Sequence, residues 1–257
     1  MCRSIRAIGY TGIEIAPFTL AESPQDLLPA VRREYRDLIV SEGLSFVGLH
    51  WLMVSPEGLH VTTPDRELRE RSWAHIYDLI DLCADLGDDG IMVFGSPKQR
   101  STQAIPVSEA TKNYTEGLAG VAPHAESRGV TILVEALPRN QSDVINTLSE
   151  AAEIVHEIGS PAVRTMFDTH NAADETESHA AVVERYFDLI RHVHVNEMDG
   201  RHPGTADYDF KSIFSTLRRL GYGHWISLEA FDFTPGAENI ATESLRFIEK
   251  EISQLAA

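Results

Sequence analysis

The chain has 257 residues, of which 43% are apolar and 24% charged, a composition typical of a globular protein with enough length for one large domain. It carries 39 acidic against 22 basic residues and a formal charge of −17, so its field repels nucleic-acid phosphates and anionic membranes. We therefore expect neither nucleic acid nor membrane as a partner. Cys2 and Cys83 are too few for a disulfide framework or a thiolate zinc site, so any metal must be held by oxygen and nitrogen.

The cellular location follows from what the sequence lacks. The longest apolar stretches, such as residues 130–137, are strand-sized and well short of the ~20 residues of a membrane helix. The first residues include Arg3 and Arg6, but no apolar segment of the kind found in secretory signals follows them. With two isolated cysteines, this predicts a cytoplasmic protein, which could form a homodimer or homotetramer.

Short apolar or β-branched runs recur along the chain, and each is followed by a segment with helical periodicity, such as Ser72–Cys83. Repeated strand–helix units indicate a parallel sheet. We predict an α/β fold, a (β/α)8 TIM barrel, as a single domain over residues 1–257. The predicted strands are Gly12–Phe18, Ser45–Leu52, Gly90–Gly95, Val130–Leu137, Val163–Thr169, Ile190–Asn196 and His224–Ala230.

The first residues do not fit the pattern of a complete barrel. Residues 3–10 look like the last turns of a helix that leads directly into the strand at Gly12. An eight-stranded barrel would thus lack its first strand. We expect either a native start upstream or an unusual closure of the barrel.

Four consecutive predicted strands each carry a metal-competent side chain near the C-terminal end. These are Glu135, Asp168, His194 and Glu229, whose separations of 33, 26 and 35 residues each fit one strand–helix unit. Adjacent parallel strands lie about 4.8 Å apart, so consecutive strand ends can converge at the barrel mouth. Three carboxylates and one imidazole favour one divalent ion, with Mn²⁺ expected and Mg²⁺, Co²⁺ or Zn²⁺ as alternatives.

These segments resemble a known group of barrels. The pattern is similar to the xylose-isomerase-like TIM barrel superfamily, and within it to the sugar phosphate isomerase/epimerase group, which includes ketose 3-epimerases and hydroxypyruvate isomerase-like proteins. The resemblance covers nearly the whole chain from Gly9 onward. The segments that carry it are Val134–Asn140, Phe167–Asn171, His192–Glu197, Arg201–Phe210 and Gly221–Glu229.

The resemblance implies that Glu135 and Glu229 are catalytic as well as metal ligands. One glutamate would remove a proton beside the metal-polarised carbonyl, and the other would return it to the opposite face of the enediolate. Two positions depart from the family pattern. Asn171 occupies a place where relatives often have histidine, which His170 could replace, and Gln141 stands near a place where epimerases often have a second glutamate.

Other residues near the strand ends are candidates for binding substrate. His50 and Trp51 could contact a sugar hydroxyl and its apolar face, and Arg201 could hold an oxygen of the substrate through its fork of donors. Glu197 follows the same strand as His194, but a surface ion pair with Arg201 is an open alternative for both residues. Gln141, His170 and Asn171 complete the predicted substrate-binding set. His192 is open between a core histidine and a support for His194.

The sequence therefore predicts a metal-dependent isomerase or epimerase of a small ketose or related hydroxy-carbonyl sugar, acting through proton abstraction and an enediolate. A metal-dependent dehydratase of a keto-inositol type uses the same features, since an enediolate can also expel a β-hydroxyl group. A non-catalytic sugar-binding barrel is the alternative outside the enzymes. The DNA-repair endonuclease branch of the superfamily is disfavoured by the acidic charge and by the absence of further clear ligands for a multi-zinc cluster.

Overall fold

The computed structural model describes residues 1–255, in which helices and strands alternate. A helix both long enough and apolar enough to cross a membrane is not found within residues 1–255. The helices are α1 Cys2–Ile8, α2 Pro29–Ser41, α3 Arg66–Leu86, α4 Val107–Arg128, α5 Leu148–Ile158, α6 His179–Arg185, α7 Phe210–Arg219 and α8 Ala237–Leu255. The strands are β1 Gly12–Ile15, β2 Ser45–Leu49, β3 Ile91–Phe94, β4 Thr131–Val134, β5 Val163–Asp168, β6 Ile190–Val195 and β7 Ile226–Leu228.

The seven strands form one sheet in chain order, and every neighbouring pair is parallel. Strands of this kind are buried on both faces, as in β3, where all four residues are buried. Val47, Val93, Leu133 and Met166 pack together on one face of the sheet, and Trp225 packs against them. Residues on the opposite face pack against the helices. The predicted α/β barrel is therefore confirmed.

All seven predicted strands are present, but each ends one to three residues earlier than predicted. The backbone leaves the extended conformation at these points. Pro17 begins a short 3₁₀ helix just after β1, and Trp51 has a φ of 53°, which does not belong to a strand. The apolar residues beyond the strand ends therefore belong to loops around the barrel mouth.

The barrel is nearly closed, and a seam separates the two edge strands β1 and β7. A cavity of about 380 Å³ lies along this seam and is bordered by Gly12, Glu14 and Trp225. Helices α1 and α8 pack together on its outer side, where the Tyr10 hydroxyl donates to the Ala241 carbonyl at 2.9 Å. The predicted helix before the first strand is thus observed as α1.

Candidate active site

The four side chains predicted as metal ligands converge at the C-terminal ends of four consecutive strands. Glu135 follows β4, Asp168 ends β5, His194 is the penultimate residue of β6 and Glu229 follows β7. One ligand atom from each residue lies within 4.8 Å of the others. Glu135, Asp168 and His194 are buried, and the Glu229 side chain is 11% exposed. Parallel strands thus bring three carboxylates and one imidazole to a single point.

The contacts within this group suit a cation. His194 places Nδ1 at 3.2 Å from Glu229 Oε2 and 3.6 Å from Asp168 Oδ2. Asp168 Oδ2 is buried and accepts no hydrogen bond within residues 1–255. A buried carboxylate oxygen without a donor costs free energy unless a cation offsets its charge. The mainly oxygen donor set, with one imidazole, therefore fits one divalent ion such as Mn²⁺ or Mg²⁺.

Hydrogen bonds from neighbouring loops orient the carboxylates. Asn171 donates its side-chain amide to Glu135 Oε1 at 2.9 Å and its backbone N–H to Asp168 Oδ1 at 2.9 Å. On the other side of the group, the indole N–H of Trp51 donates to Glu229 Oε1 at 3.1 Å. Two residues that the sequence suggested as substrate contacts, Trp51 and Asn171, therefore bind the carboxylates themselves.

Glu14, on β1, is an acidic residue of the site that the sequence analysis did not single out. Its Oε1 lies 2.6 Å from His192 Nε2, and its Oε2 lies 3.0 Å from His194 Nε2. The Glu14 side chain is 8% exposed and those of both histidines are 1% exposed. The available signal was a glutamate between the apolar residues Ile13 and Ile15 of a predicted strand, because a carboxylate that faces a barrel interior requires a charged or hydrogen-bonding partner.

The clustered charges shift the proton affinities of these groups. Burial, together with the Glu229 and Asp168 carboxylates, raises the pKa of Glu135 to about 8. Burial alone would lower the pKa of His194, but the Glu14 and Glu229 carboxylates outweigh it and hold that pKa well above its ordinary value. Burial would likewise raise the pKa of Glu229, but His194 outweighs it and lowers that pKa. Without a cation, Glu135 and His194 therefore hold protons at neutral pH.

Four of the predicted substrate-binding residues line one large cavity beside the carboxylates. Its volume is about 870 Å³, and its lining includes Trp51, Gln141, His170 and Asn171. The Gln141 amide nitrogen lies 3.3 Å from His170 Nε2 and donates to Asn171 Oδ1 at 3.3 Å. Polar side chains from the loops after β4 and β5 therefore meet at one wall of this cavity.

The other three predicted substrate-binding residues lie outside that lining. His50 borders the smaller cavity at the seam. Glu197 is buried, and its carboxylate accepts backbone N–H groups of the 204–208 loop at 2.8 and 3.1 Å, which occupies both oxygens. Arg201 pairs with Asp199 at 2.8 Å on the surface. The Glu197 carboxylate thus holds the 204–208 loop in place, and the Arg201 guanidinium points toward the neighbouring Asp199 carboxylate.

The outer part of the large cavity is aromatic and acidic. Trp51 stacks on Phe231 with ring centroids 6.4 Å apart, and Phe18 lies 6.3 Å from Trp51. Trp51 and Phe231 are 41% and 37% exposed. Apart from the predicted metal ligands Glu135 and Glu229, the described lining carries the carboxylates of Glu57 and Asp199, and Lys98 is its one lysine or arginine. The outer lining therefore combines exposed aromatic faces with two carboxylates and one lysine.

The fold and this group of side chains at the strand ends define a barrel of a known class. Residues 2–251 match the family described as xylose isomerase-like TIM barrel, and the chain belongs to that family, as the sequence predicted. It is 24% identical to L-ribulose 3-epimerase of Mesorhizobium japonicum over 242 residues, which cover 94% of this chain and 79% of that protein. It is also 24% identical to D-psicose 3-epimerase of Agrobacterium fabrum over 234 residues, which cover 90% of this chain and 78% of that protein. The crystal structure of 3-keto-D-glucoside 4-epimerase from E. coli matches with a TM-score of 0.82 at 20% identity, covering 97% of this chain and 92% of that one.

Proposed function

We propose that this protein is a divalent-metal-dependent epimerase or isomerase of a neutral ketose or related keto-sugar. The observation that carries the proposal is the convergence of Glu135, Asp168, His194 and Glu229 at the ends of four neighbouring strands. The broader class is settled by the relatives, which are sugar epimerases by name, so the protein is an enzyme of the sugar isomerase and epimerase class. The metal, the two catalytic glutamates and the neutral substrate are the parts that we add.

The proposed chemistry uses the two outer carboxylates of the group. When bound, a divalent cation supplies a Lewis acid that polarises the sugar carbonyl and stabilises negative charge on its oxygen. Glu135 and Glu229 follow β4 and β7, which are separated in the sheet by β5 and β6, so they reach the site from opposite sides. We assign one glutamate to removing the proton next to the carbonyl and the other to returning it on the opposite face. Asn171 and Trp51 hold these two carboxylates in place.

The lining of the large cavity supports a neutral sugar. Apart from the two proposed metal ligands, a phosphate group would meet the carboxylates of Glu57 and Asp199 and a single lysine, Lys98, among the described lining residues. Gln141 can hydrogen-bond a hydroxyl group but cannot transfer a proton. The volume of about 870 Å³ lies near the upper end of the roughly 300–1,000 Å³ common for small-molecule sites, so a glycosylated keto-sugar fits as well as a free ketose.

Solvent exchange tests the proton-transfer step directly. Turnover of a ketose in D₂O with saturating Mn²⁺ is expected to place deuterium on the carbon next to the carbonyl. Glu135→Gln and Glu229→Gln are each expected to lower kcat by about 10²–10⁴-fold, the range for loss of a general acid or base. Asp168→Asn is expected to remove the ion itself, measured as metal per chain, whereas Asp174→Asn, at the end of the short 3₁₀ helix that follows β5, is the control that keeps it.

The outcomes separate the proposed function from its alternatives. A product lighter by one water molecule identifies a dehydratase, whereas epimerisation and isomerisation leave the mass unchanged. Full metal binding without deuterium incorporation from any of a panel of ketoses and keto-glycosides identifies a sugar-binding barrel. Full metal content in Asp168→Asn would place the ion elsewhere and would contradict the proposed site.

Mn²⁺ is our proposed ion because the donor set is mostly carboxylate oxygen with one imidazole. Activity of the metal-stripped protein should return most strongly with Mn²⁺ when Mn²⁺, Mg²⁺, Co²⁺ and Zn²⁺ are compared. A cytoplasmic location is also proposed, on the basis of Cys2 and Cys83, which are both unpaired thiols in the structure.

A further inference from the structure

The Glu14 carboxylate lies between two histidines at the closed end of the active site. One oxygen is 2.6 Å from His192 Nε2 and the other is 3.0 Å from His194 Nε2. All three side chains are more than nine-tenths buried. The carboxylate is thus largely withdrawn from solvent, and the two imidazoles are the polar groups that face its oxygens and offset its charge.

The two ring nitrogens of His194 face different groups. Nδ1 faces Asp168 and Glu229, at 3.6 and 3.2 Å, and therefore points into the proposed metal site. Nε2 faces Glu14. A neutral imidazole binds a metal through the nitrogen that lacks a proton, and the hydrogen bond made by the other nitrogen decides which one that is.

We propose that Glu14 is a positioning residue that keeps the proton of His194 on Nε2, so that Nδ1 is free to bind the metal ion. His192 contacts the second oxygen of Glu14 and prevents the carboxylate from turning away. The inference rests on the proposed metal site, since it assigns a support to one of its ligands. It also explains why a charged residue occupies a buried position of a four-residue strand between Ile13 and Ile15.

Glu14, His192 and His194 could also be considered as a metal site of their own, since their ligand atoms lie close together. The distances argue against this. Donor atoms bound to one ion at about 2.0–2.2 Å are separated by about 3 Å or more in tetrahedral or octahedral geometry. The 2.6 Å between Glu14 Oε1 and His192 Nε2 is shorter and suits a direct contact between the two side chains.

Metal titration of matched variants tests the positioning role. Glu14→Gln has nearly the same shape but lacks the charge, and we expect its Kd for Mn²⁺ to rise about 10–100-fold, the range for loss of a support to a metal ligand. Glu175→Gln is the control, because Glu175 is a partly buried carboxylate whose contact is the Leu148 backbone N–H at 2.7 Å, outside the site. His194→Ala should bind no ion in the site.

Thermal unfolding separates positioning from a role in folding alone. Ligand binding raises the midpoint by an amount set by the ratio of ion concentration to Kd. For Glu14→Gln we expect a smaller Mn²⁺-dependent rise than for the wild type. A lower midpoint without metal, combined with an unchanged Kd and an unchanged rise, would show a structural role and overturn the proposal.

A measurement on the unmodified protein covers the case in which Glu14→Gln does not fold. In ¹⁵N-histidine spectra of the Mg²⁺-loaded wild type, assigned against His194→Ala, His194 should carry its proton on Nε2. A proton on Nδ1 would overturn the inference. Loss of the ion in His194→Ala with wild-type affinity in Glu14→Gln would contradict this inference alone, whereas retention of the ion in His194→Ala would contradict the proposed metal site.

Discussion

The closed end and the open end of the active site are built differently. At the closed end, which we call the floor, Glu14, His192 and His194 are almost inaccessible, and Glu14 contacts the two histidines at 2.6 and 3.0 Å. At the open end, which we call the mouth, Trp51 and Phe231 are more than one-third exposed and contact each other through ring faces. The floor is thus fixed by charge pairing out of water, and the mouth by partly solvated aromatic contact.

This difference assigns different tasks to the two ends. A buried charge without an opposite charge costs several kcal/mol, so few substitutions are tolerated at the floor. The floor therefore fixes the positions of the ion and its ligands. Exposed side chains can change at little cost to stability, usually within about 0.5 kcal/mol, so the mouth is free to define which sugar enters. Changes at the floor should alter metal binding, and changes at the mouth should alter turnover or substrate affinity with the ion retained.

The largest expected effect is the pH dependence of metal binding by Glu135, Asp168, His194 and Glu229. The pKa of Glu135 is raised to about 8 and that of His194 is held well above its ordinary value, so both groups carry a proton at neutral pH when no ion is bound, and binding must release both protons. Affinity for Mn²⁺ should therefore increase with pH, by up to about 100-fold per unit between pH 6 and 7, and less steeply once Glu135 loses its proton near pH 8. Calorimetry in buffers of different ionisation enthalpy counts the protons released.

A matched variant assigns one of these protons. Glu135→Gln cannot bind or release a proton at this position, so its affinity should change by only about tenfold per pH unit over the same range. His194 accounts for the remaining proton. A slope that is the same in the variant and the wild type, or a flat profile in the wild type, would contradict the raised pKa values of Glu135 and His194.

The sequence predicted much of the barrel and of the metal group because both follow local patterns. Strands recur with helices between them, and Glu135, Asp168, His194 and Glu229 stand at the same place in four successive units. Glu14 was missed for the opposite reason. Its partners lie 178 and 180 residues further along the chain, and only the curvature of the nearly closed barrel brings a side chain of β1 to side chains of β6.

Loop conformation is the second feature of the site that could not be predicted from the sequence. Glu197 follows the strand of His194 and had the chemistry of a substrate contact, but the 204–208 loop folds back so that its backbone N–H groups bind that carboxylate. Trp51 was expected as an apolar wall, and its positive φ of 53° accompanies an indole N–H that contacts Glu229. Neither arrangement has a periodic signature in the sequence.

A moderate effect is expected where the mouth meets the metal group. Trp51→Phe keeps an aromatic face toward Phe231 but removes the N–H that donates to Glu229 at 3.1 Å. A hydrogen bond to a charged group contributes about 1.5–3 kcal/mol, so kcat should fall by about 10–100-fold while KM changes little. Steady-state kinetics with saturating Mn²⁺ measure both values. Trp51→Ala should in addition raise KM, because it also removes the aromatic face. If Trp51→Phe has the same kcat and KM as the wild type, the indole N–H does not contribute to catalysis.

The smallest effect is expected at Arg201, which the sequence suggested as a substrate contact. A tight turn directs its side chain, because the Glu197 N–H donates to the Arg201 carbonyl at 2.9 Å and the Gly200 N–H donates to the Glu197 carbonyl at 2.9 Å. The guanidinium then pairs with Asp199 on the surface, an interaction worth about 0–1 kcal/mol. Arg201→Ala should therefore change kcat/KM by less than about threefold. If KM instead rises tenfold or more with kcat unchanged, the guanidinium binds substrate, and the 197–201 turn must rearrange when the sugar enters.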